Sequence, residues 1–380
     1  MKKALIVLPT YNEAGTIEKL IVDIFAQNQK TPNWDIEILV NDSTSTDDTA
    51  KIVKSLEKKY SKKIFLLETK KEGLGKAYHR AFTYAIDNIQ PFVIFQMDAD
   101  YSHDPNDIPL FLNEIAKGAD FVIGARYIKG GSIPKNWGWY RKILSVFGNL
   151  IVRGGFMKPK IHDWTSGYRS IKTWIIKDSL DFVKNYSGYV FQIALLDQAI
   201  KKNAKISEVP IRFIDRKYGK SKIIFSQYIF QILTYIFFHS SFIKFVIVGL
   251  IGFVVDFSFA YLFINKIQIA KVPANILSAE VAIVFNFFLN NFWSFKHKKI
   301  TGGVFAYLGK FVTFNLVSSG SIIIQGVGLG LALRFLGDKT IHLFGATSIS
   351  SWIIYKVLII ALVIIPYSYI LYNKFIWKKE

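Results

Sequence analysis

The first half of the chain alternates short apolar runs with longer stretches whose apolar positions recur every three or four residues. Runs of this length are typical of buried strands, and the longer period indicates helices that bury one face. The runs predict five strands, at residues 4–8, 36–40, 64–67, 92–97 and 121–124. Strands and helices that alternate at this spacing form a mostly parallel sheet with helices on both faces. We therefore predict a Rossmann-like α/β domain.

The second half has much longer apolar runs. Residues 243–265, 272–295, 311–335 and 348–372 each have the length and composition of a helix that crosses a bilayer. Two amphipathic stretches, 137–158 and 223–241, are too polar to span a membrane. They mix aromatic residues with Lys and Arg, as helices at a membrane surface do, although ordinary amphipathic core helices are the alternative. We predict an α/β domain at 1–222 containing the first amphipathic helix, an interface helix at 223–241, and four transmembrane helices at 242–380.

Charge is distributed as unevenly as hydropathy. The net charge is +20, yet residues 242–380 hold only 13 Lys/Arg and 4 Asp/Glu. Such a charge favours anionic partners, such as phospholipid headgroups or a nucleotide diphosphate. Nucleic acid is not expected, because no binding module or basic arm is recognisable. Lysines cluster after the second and fourth predicted spans, which predicts that both termini and the α/β domain are cytoplasmic. The absence of cysteine excludes disulfides, thiolate zinc sites and cysteine nucleophiles.

Two carboxylates follow the fourth predicted strand, at Asp98 and Asp100. Ligands of parallel sheets bind beyond the carboxyl ends of the strands, where polar clusters at Asp42 and Arg126 are also expected. Paired carboxylates there suit a hard divalent cation held against a diphosphate. The alternative is that the two aspartates merely begin a loop.

Other ionisable residues carry less information. His79, His103 and His162 lack the spacing of a metal trio and are expected on the surface or in loops. Asp256 and Glu280 fall within predicted spans, where a charge indicates either a functional group or an interhelical hydrogen bond.

A series of motifs extends over residues 1–222 in order. They are Pro-Thr-Tyr-Asn-Glu at 9–13, Val-Asn-Asp-Ser at 40–43, Gly-Leu-Gly at 73–75, Asp-Ala-Asp at 98–100, Gly-Ala-Arg-Tyr at 124–127, Tyr-Arg-Lys at 140–142, Thr-Ser-Gly-Tyr-Arg at 165–169, Glu-Val-Pro at 208–210, and Arg216 with Gly219, Ser221 and Lys222. This set resembles family 2 glycosyltransferases of the GT-A fold, and more narrowly the dolichyl (polyprenyl) phosphate mannose synthases. The tail, with Asn-Asn-Phe-Trp-Ser-Phe at 290–295, is similar to GtrA-like domains.

The resemblance implies a role for each matching residue. The base and ribose of a nucleotide sugar would be held by Pro9, Tyr11, Glu13, Val40 and Asp42. Asp98, Ala99 and Asp100 would hold the ribose and diphosphate, with Asp100 as a direct ligand of Mg²⁺ or Mn²⁺. Phosphate or sugar would be contacted by Arg126, Arg216 and Lys222, and the acceptor phosphate by Arg141 and Ser145.

Two positions depart from the family pattern. Asn41 stands where members carry a second acid, and Ser102 where they carry Gln or Glu as a second side-chain metal ligand. Ser102 would then bind the metal weakly or through water, or His103 would substitute for it.

The resemblance implies transfer of mannose from GDP-mannose to dolichyl (polyprenyl) phosphate, with inversion, to give a β-linked product. The same reaction with UDP-glucose is the nearest alternative. Translocation of a lipid-linked sugar by the tail is an alternative of another class.

Overall fold

The computed structural model describes residues 1–215, 225–342 and 348–378. The chain forms two compact units, Met1–Ile236 and Phe237–Glu380.

A seven-stranded sheet is the centre of the first unit. Its strand order is β3-β2-β1-β4-β6-β5-β7, and β6 is the one strand that runs antiparallel to its neighbours. The strands are β1 (Lys2–Thr10), β2 (Trp34–Asp42), β3 (Ile64–Glu68), β4 (Val93–Gln96), β5 (Phe121–Ala125), β6 (Arg169–Lys172) and β7 (Ile206–Pro210). This confirms the predicted α/β fold class and all five predicted strands.

Two strands of this sheet were not predicted. β6 is four residues long and is polar at both ends, because it begins with Arg169 and ends with Lys172. β7 lies at the edge of the sheet. It begins with Ile206, has Glu208 at its centre, ends with a proline and contains few apolar residues. Neither strand has a long apolar run, so hydrophobic pattern alone does not reveal them.

Helices accompany the sheet, and several of them bury apolar side chains against it. They are α1 (Ile17–Ala26), α2 (Thr49–Lys59), α3 (Leu74–Tyr84), α4 (Ile108–Ala116), α5 (Trp139–Phe156), α6 (Thr173–Val183), α7 (Gly188–Lys201) and α8 (Phe225–His239). The apolar side chains of β1, β2 and β4 are buried in the core. The polar residues that follow these strands are therefore fixed at one edge of the sheet.

Helix α5 occupies most of the predicted amphipathic stretch 137–158. Its exposed face carries a continuous apolar stripe at helical spacing: Trp139, Tyr140, Ile143, Val146, Phe147 and Leu150. Helix α8 behaves similarly, with Phe230 and Leu233 exposed while Ile232 and Tyr235 are buried. Residues 223 and 224 of the second predicted stretch lie outside the described part of the chain.

The second unit contains four apolar helices long enough to cross a membrane. They extend over Ser241–Lys266, Lys271–Ser294, Val304–Leu336 and Ser351–Ile376. We label their regular α-helical parts α9 (Ser241–Tyr261), α10 (Lys271–Leu289), α11 (Val304–Leu336), α12 (Ser351–Ile359) and α13 (Ile365–Leu371). The third helix begins seven residues before its predicted start, and the fourth begins after a short strand, Ser348–Ser350, which pairs with Thr340–His342.

Candidate active site

The turn after β4 presents Asp98 and Asp100 at the carboxyl edge of the sheet. Tyr101 adopts a left-handed backbone conformation with φ of 61°, and its hydroxyl donates a 2.7 Å hydrogen bond to Asp23. The Ser102 amide donates to Oδ1 of Asp100 at 3.0 Å. These bonds fix the reversal of the chain, so that both carboxylates project from one short segment. We call residues 98–103 the acidic turn.

His103 closes the acidic turn from inside the protein. The Asp98 amide donates a 3.0 Å hydrogen bond to its Nδ1, and its ring stacks on Tyr168 with centroids 4.8 Å apart. Burial lowers the pKa of His103 below its ordinary value, so the imidazole is neutral at neutral pH. His103 lies in a loop, which is one of its two expected locations, but it is buried there, with 2% exposed. Only its position five residues after Asp98 could have indicated this role.

The donor atoms of the acidic turn fit a divalent cation that takes part of its shell from a substrate. Mg²⁺ is commonly held by one or two protein carboxylates together with phosphate oxygens and water. Within the described residues, no cluster of three His, Cys, Asp or Glu side chains could enclose a metal without other ligands. Asp98 is 37% exposed at its side chain, and it lies beside Asp100 in a turn held by main-chain bonds. The arrangement is therefore an open, carboxylate-based half-site.

Two positions that depart from the family pattern have structural roles here. Asn41 donates through Nδ2 to the Ala77 carbonyl at 2.7 Å and accepts from the Thr69 hydroxyl at 3.0 Å. Its amide thus connects β2 to α3 and to the end of β3. Ser102 is 2% exposed, and it bonds to Asp100 through its main-chain amide. A metal contact from its hydroxyl remains a prediction.

The residues predicted to hold a base and ribose lie at the ends of β1 and β2. Asp42 accepts hydrogen bonds from the Thr10 hydroxyl at 2.8 Å and from the Ser45 amide and hydroxyl at 2.8 and 2.6 Å. The Lys71 ammonium lies over the Tyr11 ring. Val40 is fully buried in the core, so only its main chain faces this edge.

Neighbouring loops fix the rest of this group. The Glu13 amide bonds to the Thr49 hydroxyl at 2.9 Å, and the Ala99 carbonyl accepts from the Thr16 hydroxyl at 2.9 Å. Pro9 is a partly exposed residue of β1, paired with Asn41.

Arg126, at the end of β5, is held by a buried carboxylate. Its Nε and Nη2 donate to the two oxygens of Asp163 at 2.7 and 2.8 Å, and its amide donates to the same carboxylate at 3.0 Å. Nη2 also bonds to the Thr165 hydroxyl at 2.9 Å. Burial opposes ionisation of Asp163, but the charge and hydrogen bonds of Arg126 outweigh it and hold its pKa below the ordinary value.

The Asp163 loop is itself anchored to β7 and α5. Glu208 accepts from the amides of His162 and Asp163 at 2.7 and 3.0 Å, which gives the Glu-Val-Pro motif a structural role. On the other side, Asn149 of α5 donates to the Thr165 hydroxyl at 3.2 Å. We call Arg126, Asp163, Thr165, Asn149 and Glu208 the arginine network. Sequence reasoning missed Asp163 and Asn149, because neither stands in a short motif with Arg126.

Arg169 and Gly167 bring the arginine network against the acidic turn. Arg169 is fully buried and donates to the carbonyls of Trp164, Ser166 and Gln192 at 2.6 to 2.7 Å. Burial lowers its pKa to about 9, so it remains charged at neutral pH. A methyl group at Gly167 would lie 3.5 Å from the His103 ring and 3.9 Å from Asp98. The two groups of residues therefore line one continuous edge.

Helix α5 supplies the residues predicted to contact an acceptor phosphate. The Arg141 guanidinium lies 3.9 Å above the Trp137 ring and 3.5 Å from an oxygen of Asp215. One turn later, the Ser145 hydroxyl is 2.6 Å from the hydroxyl of Tyr127, which follows Arg126 directly. Arg216 and Lys222 lie outside the described residues, so their roles remain predictions.

Comparison with known proteins assigns the family. The family Glycosyl transferase family 2 matches residues 5–197, and the family GtrA/DPMS, transmembrane domain, matches residues 244–377. A dolichol-phosphate mannosyltransferase from Pyrococcus furiosus is 34% identical over 319 residues, covering 81% of this chain and 85% of that protein. A polyprenol monophosphomannose synthase from Mycolicibacterium smegmatis is 34% identical over 223 residues, covering 58% of this chain and 81% of that protein.

A more distant solved structure is that of glucosyl-3-phosphoglycerate synthase from Mycobacterium tuberculosis, in complex with Mn²⁺, UDP-glucose and phosphoglyceric acid. It is 19% identical, covers 62% of this chain and 80% of its own, and gives a TM-score of 0.44.

The sheet, its carboxylate-lined edge and the four apolar helices define an enzyme that is an integral membrane protein. The chain belongs to glycosyl transferase family 2 and carries a GtrA/DPMS transmembrane domain. Both resemblances stated from the sequence are confirmed.

Proposed function

We propose that the chain transfers a mannosyl residue from GDP-mannose to dolichyl or another polyprenyl phosphate, with inversion, at the cytoplasmic face of the membrane. The product would be a polyprenyl β-D-mannosyl phosphate. The observation that carries this proposal is that the acidic turn and the arginine network share one edge with α5, whose outer face is apolar. Relatives named as mannosyltransferases of dolichol, polyprenol and undecaprenyl phosphate support the sugar and the lipid.

The acceptor needs no catalytic base. A phosphate monoester already carries about −1.5 to −2 charges near pH 7. One of its oxygens attacks the anomeric carbon of mannose, the bond from that carbon to the GDP oxygen breaks, and GDP leaves with the bonding electrons. No proton has to move, and attack opposite the leaving group inverts the anomeric centre.

The chemical difficulty is the repulsion between two anionic substrates. A divalent cation on Asp100 would neutralise the diphosphate as it leaves. In the protein, the Asp98 amide is held by His103, while Asp42 fixes the ends of β1 and β2 for the nucleoside. Arg126 and Arg141 offer charge-assisted hydrogen bonds to phosphate oxygens. Arg216 and Lys222 are proposed for the same task on the sequence match alone.

The membrane would hold the acceptor where α5 can reach its phosphate. Trp139, Ile143 and Phe147 are each at least 49% exposed, which is unusual for a water-facing helix and typical of an interfacial one. Arg141 lies among them, with its guanidinium on the Trp137 ring. In this position a cation would bind the phosphate while the isoprenoid chain stays in the lipid. The lysines after the second and fourth transmembrane helices support a cytoplasmic active site.

A donor screen tests the proposal. The purified full chain would be assayed with dolichyl phosphate and Mg²⁺ or Mn²⁺, using GDP-mannose, UDP-glucose and UDP-GlcNAc in parallel. We expect transfer from GDP-mannose, with loss of activity on chelation of the metal. Transfer from UDP-glucose alone would replace the proposed donor. Absence of transfer from all three would reject the polyprenyl phosphate sugar synthase assignment.

A further inference from the structure

A row of polar side chains winds along the second transmembrane helix. Ser278, Asn286, Asn290 and Ser294 are separated by multiples of four residues, and because an α-helix has 3.6 residues per turn, the row turns slowly around the helix. At Ser278 the row faces α9, because the Ser278 hydroxyl donates to Asp256 at 2.6 Å. We call these four residues the polar seam.

The amide of Asn286 packs directly on the backbone of α9. A Cβ built on Gly252 would come within 2.2 to 2.3 Å of the Asn286 amide atoms, so only glycine fits there without a shift. The two helices thus approach closely at Asn286.

Several atoms of the polar seam lack a partner within the described part of the chain. Asn286 Oδ1, Asn290 Oδ1 and Ser294 Oγ are buried and accept or donate no hydrogen bond. The neighbouring Asn291 is the opposite case. Its Oδ1 accepts from the Ile300 amide at 2.8 Å and from the Trp377 indole at 3.0 Å.

An unpartnered polar atom is costly in a membrane domain, since lipid offers it no hydrogen bond. Buried polar groups without a protein partner are usually bound by ordered water. The seam contains carbonyl acceptors and hydroxyls, and water or another small hydroxyl-bearing molecule can serve both. A charged ligand is not required by any of these atoms.

We propose that the polar seam is a hydrated binding site for water and small hydroxyl-bearing molecules, which connects Asp256 to the membrane surface. Sixteen residues separate Ser278 from Ser294, which is about 24 Å along a helix. The site would therefore extend over most of the bilayer core. It would make Asp256 accessible to solvent although the residue lies at membrane depth.

The natural absence of cysteine makes the test direct. Single cysteines would replace Ser294, Asn290, Asn286 and Ser278 in the full chain in proteoliposomes. Matched controls at similar depths would be Phe292→Cys, Phe288→Cys, Val284→Cys and Ile276→Cys, whose native side chains are at least 40% exposed on the outer face of the helix. The probe is Ag⁺, a small aqueous ion that reacts with thiolates, and the readout is the protection of the thiol from a maleimide added after denaturation.

We expect the seam cysteines to react at least about tenfold faster than their controls, because thiolates form in water and not in lipid. Equal rates on the two faces would overturn the proposal. Reaction confined to position 294 would also overturn it, since that pattern reports the membrane surface alone. Ser294→Cys and Ser278→Cys are nearly isosteric, so they retain the test if an asparagine variant fails to fold, as judged by its transferase activity.

Discussion

The two groups of residues that form the candidate active site are built in different ways. Within the acidic turn, bonds between residues two to five positions apart, such as Ser102 to Asp100 and Asp98 to His103, set the backbone around the two carboxylates, and the bonds of Tyr101 to Asp23 and of Ala99 to Thr16 attach the turn to the rest of the domain. The arginine network is held by bonds between residues 16 to 45 positions apart, such as Arg126 to Asp163. A local turn depends on a short sequence, whereas a long-range network forms only after several elements have packed. We therefore expect a mutation in the acidic turn to affect its immediate surroundings, and mutations in the arginine network to have coupled effects on activity.

The largest effect is expected at the acidic turn. Asp100→Ala should lower the rate of transfer by at least about 100-fold. Loss of a residue that binds the metal directly reduces activity more than loss of a residue that only orients a metal ligand. The measurement is turnover with saturating Mg²⁺ or Mn²⁺, alongside metal-dependent binding of the nucleotide. Asp87→Ala, which removes an exposed acid elsewhere, is the control. Retention of substantial activity would show that the metal site has been assigned wrongly.

A double-mutant cycle tests the arginine network. Arg126→Ala and Asp163→Asn should each reduce kcat/KM by about tenfold or more, and the double variant should be no worse than Arg126→Ala. This follows if Asp163 acts by positioning Arg126. Thermal stability of the same variants separates positioning from general unfolding. Multiplicative losses of kcat/KM in the double variant would contradict this role.

Arg141 tests whether the membrane-facing end of the site binds the acceptor. Arg141→Ala should raise the KM for a short-chain prenyl phosphate by about tenfold, the cost of one charge-assisted hydrogen bond. Affinity for GDP should change little. Lys142→Ala, at the next position of α5, is the matched control. An equal loss of GDP affinity in Arg141→Ala and Arg126→Ala would remove the distinction between donor and acceptor residues.

His103 should give a small effect that depends on pH. Burial lowers its pKa from the ordinary 6.5, so the unfolded chain takes up the proton at a higher pH than the folded protein. Stability is therefore complete above about pH 6.5 and is lost as the pH falls below it. His103→Asn keeps an acceptor for the Asp98 amide but does not titrate. We expect its melting temperature to fall less than that of the wild type between pH 7.5 and 5.5; an identical fall would refute this.

The smallest effect is expected at Ser102. Ser102→Gln restores the residue type of the family and leaves the main-chain bond to Asp100 available, so activity should remain within about threefold. Titration of Mg²⁺ or Mn²⁺ would reveal tighter metal binding. Complete loss of activity would assign the serine a function that its amide contact does not explain.

The sequence predicted those parts of the molecule that are encoded locally. Five strands and four transmembrane helices follow from runs of apolar residues. Asp98 and Asp100 follow from their place at the end of a buried strand. The fusion of the two domains was identified from motifs that lie within short segments.

The remaining features depend on packing between distant segments. Asp163 had no local signal, because its partners Arg126 and Glu208 lie 37 and 45 residues away. His103 was expected on the surface or in a loop, and a single histidine in a loop does not reveal that Tyr168 covers it. β6 has no apolar run that could have predicted it. This antiparallel strand of four residues is stabilised by its pairing with the two neighbouring strands.

The burial of Arg169 has a consequence for how this protein can vary. Its three hydrogen-bond acceptors are main-chain carbonyls of Trp164, Ser166 and Gln192. Every amino acid supplies a carbonyl, so substitution of these three residues leaves the acceptors in place. Substitution of Arg169 leaves them without a donor, and lysine cannot reproduce a planar fork of donors. Variation at these three positions therefore keeps the acceptors in place, and the supply of donors depends on a single position, the arginine.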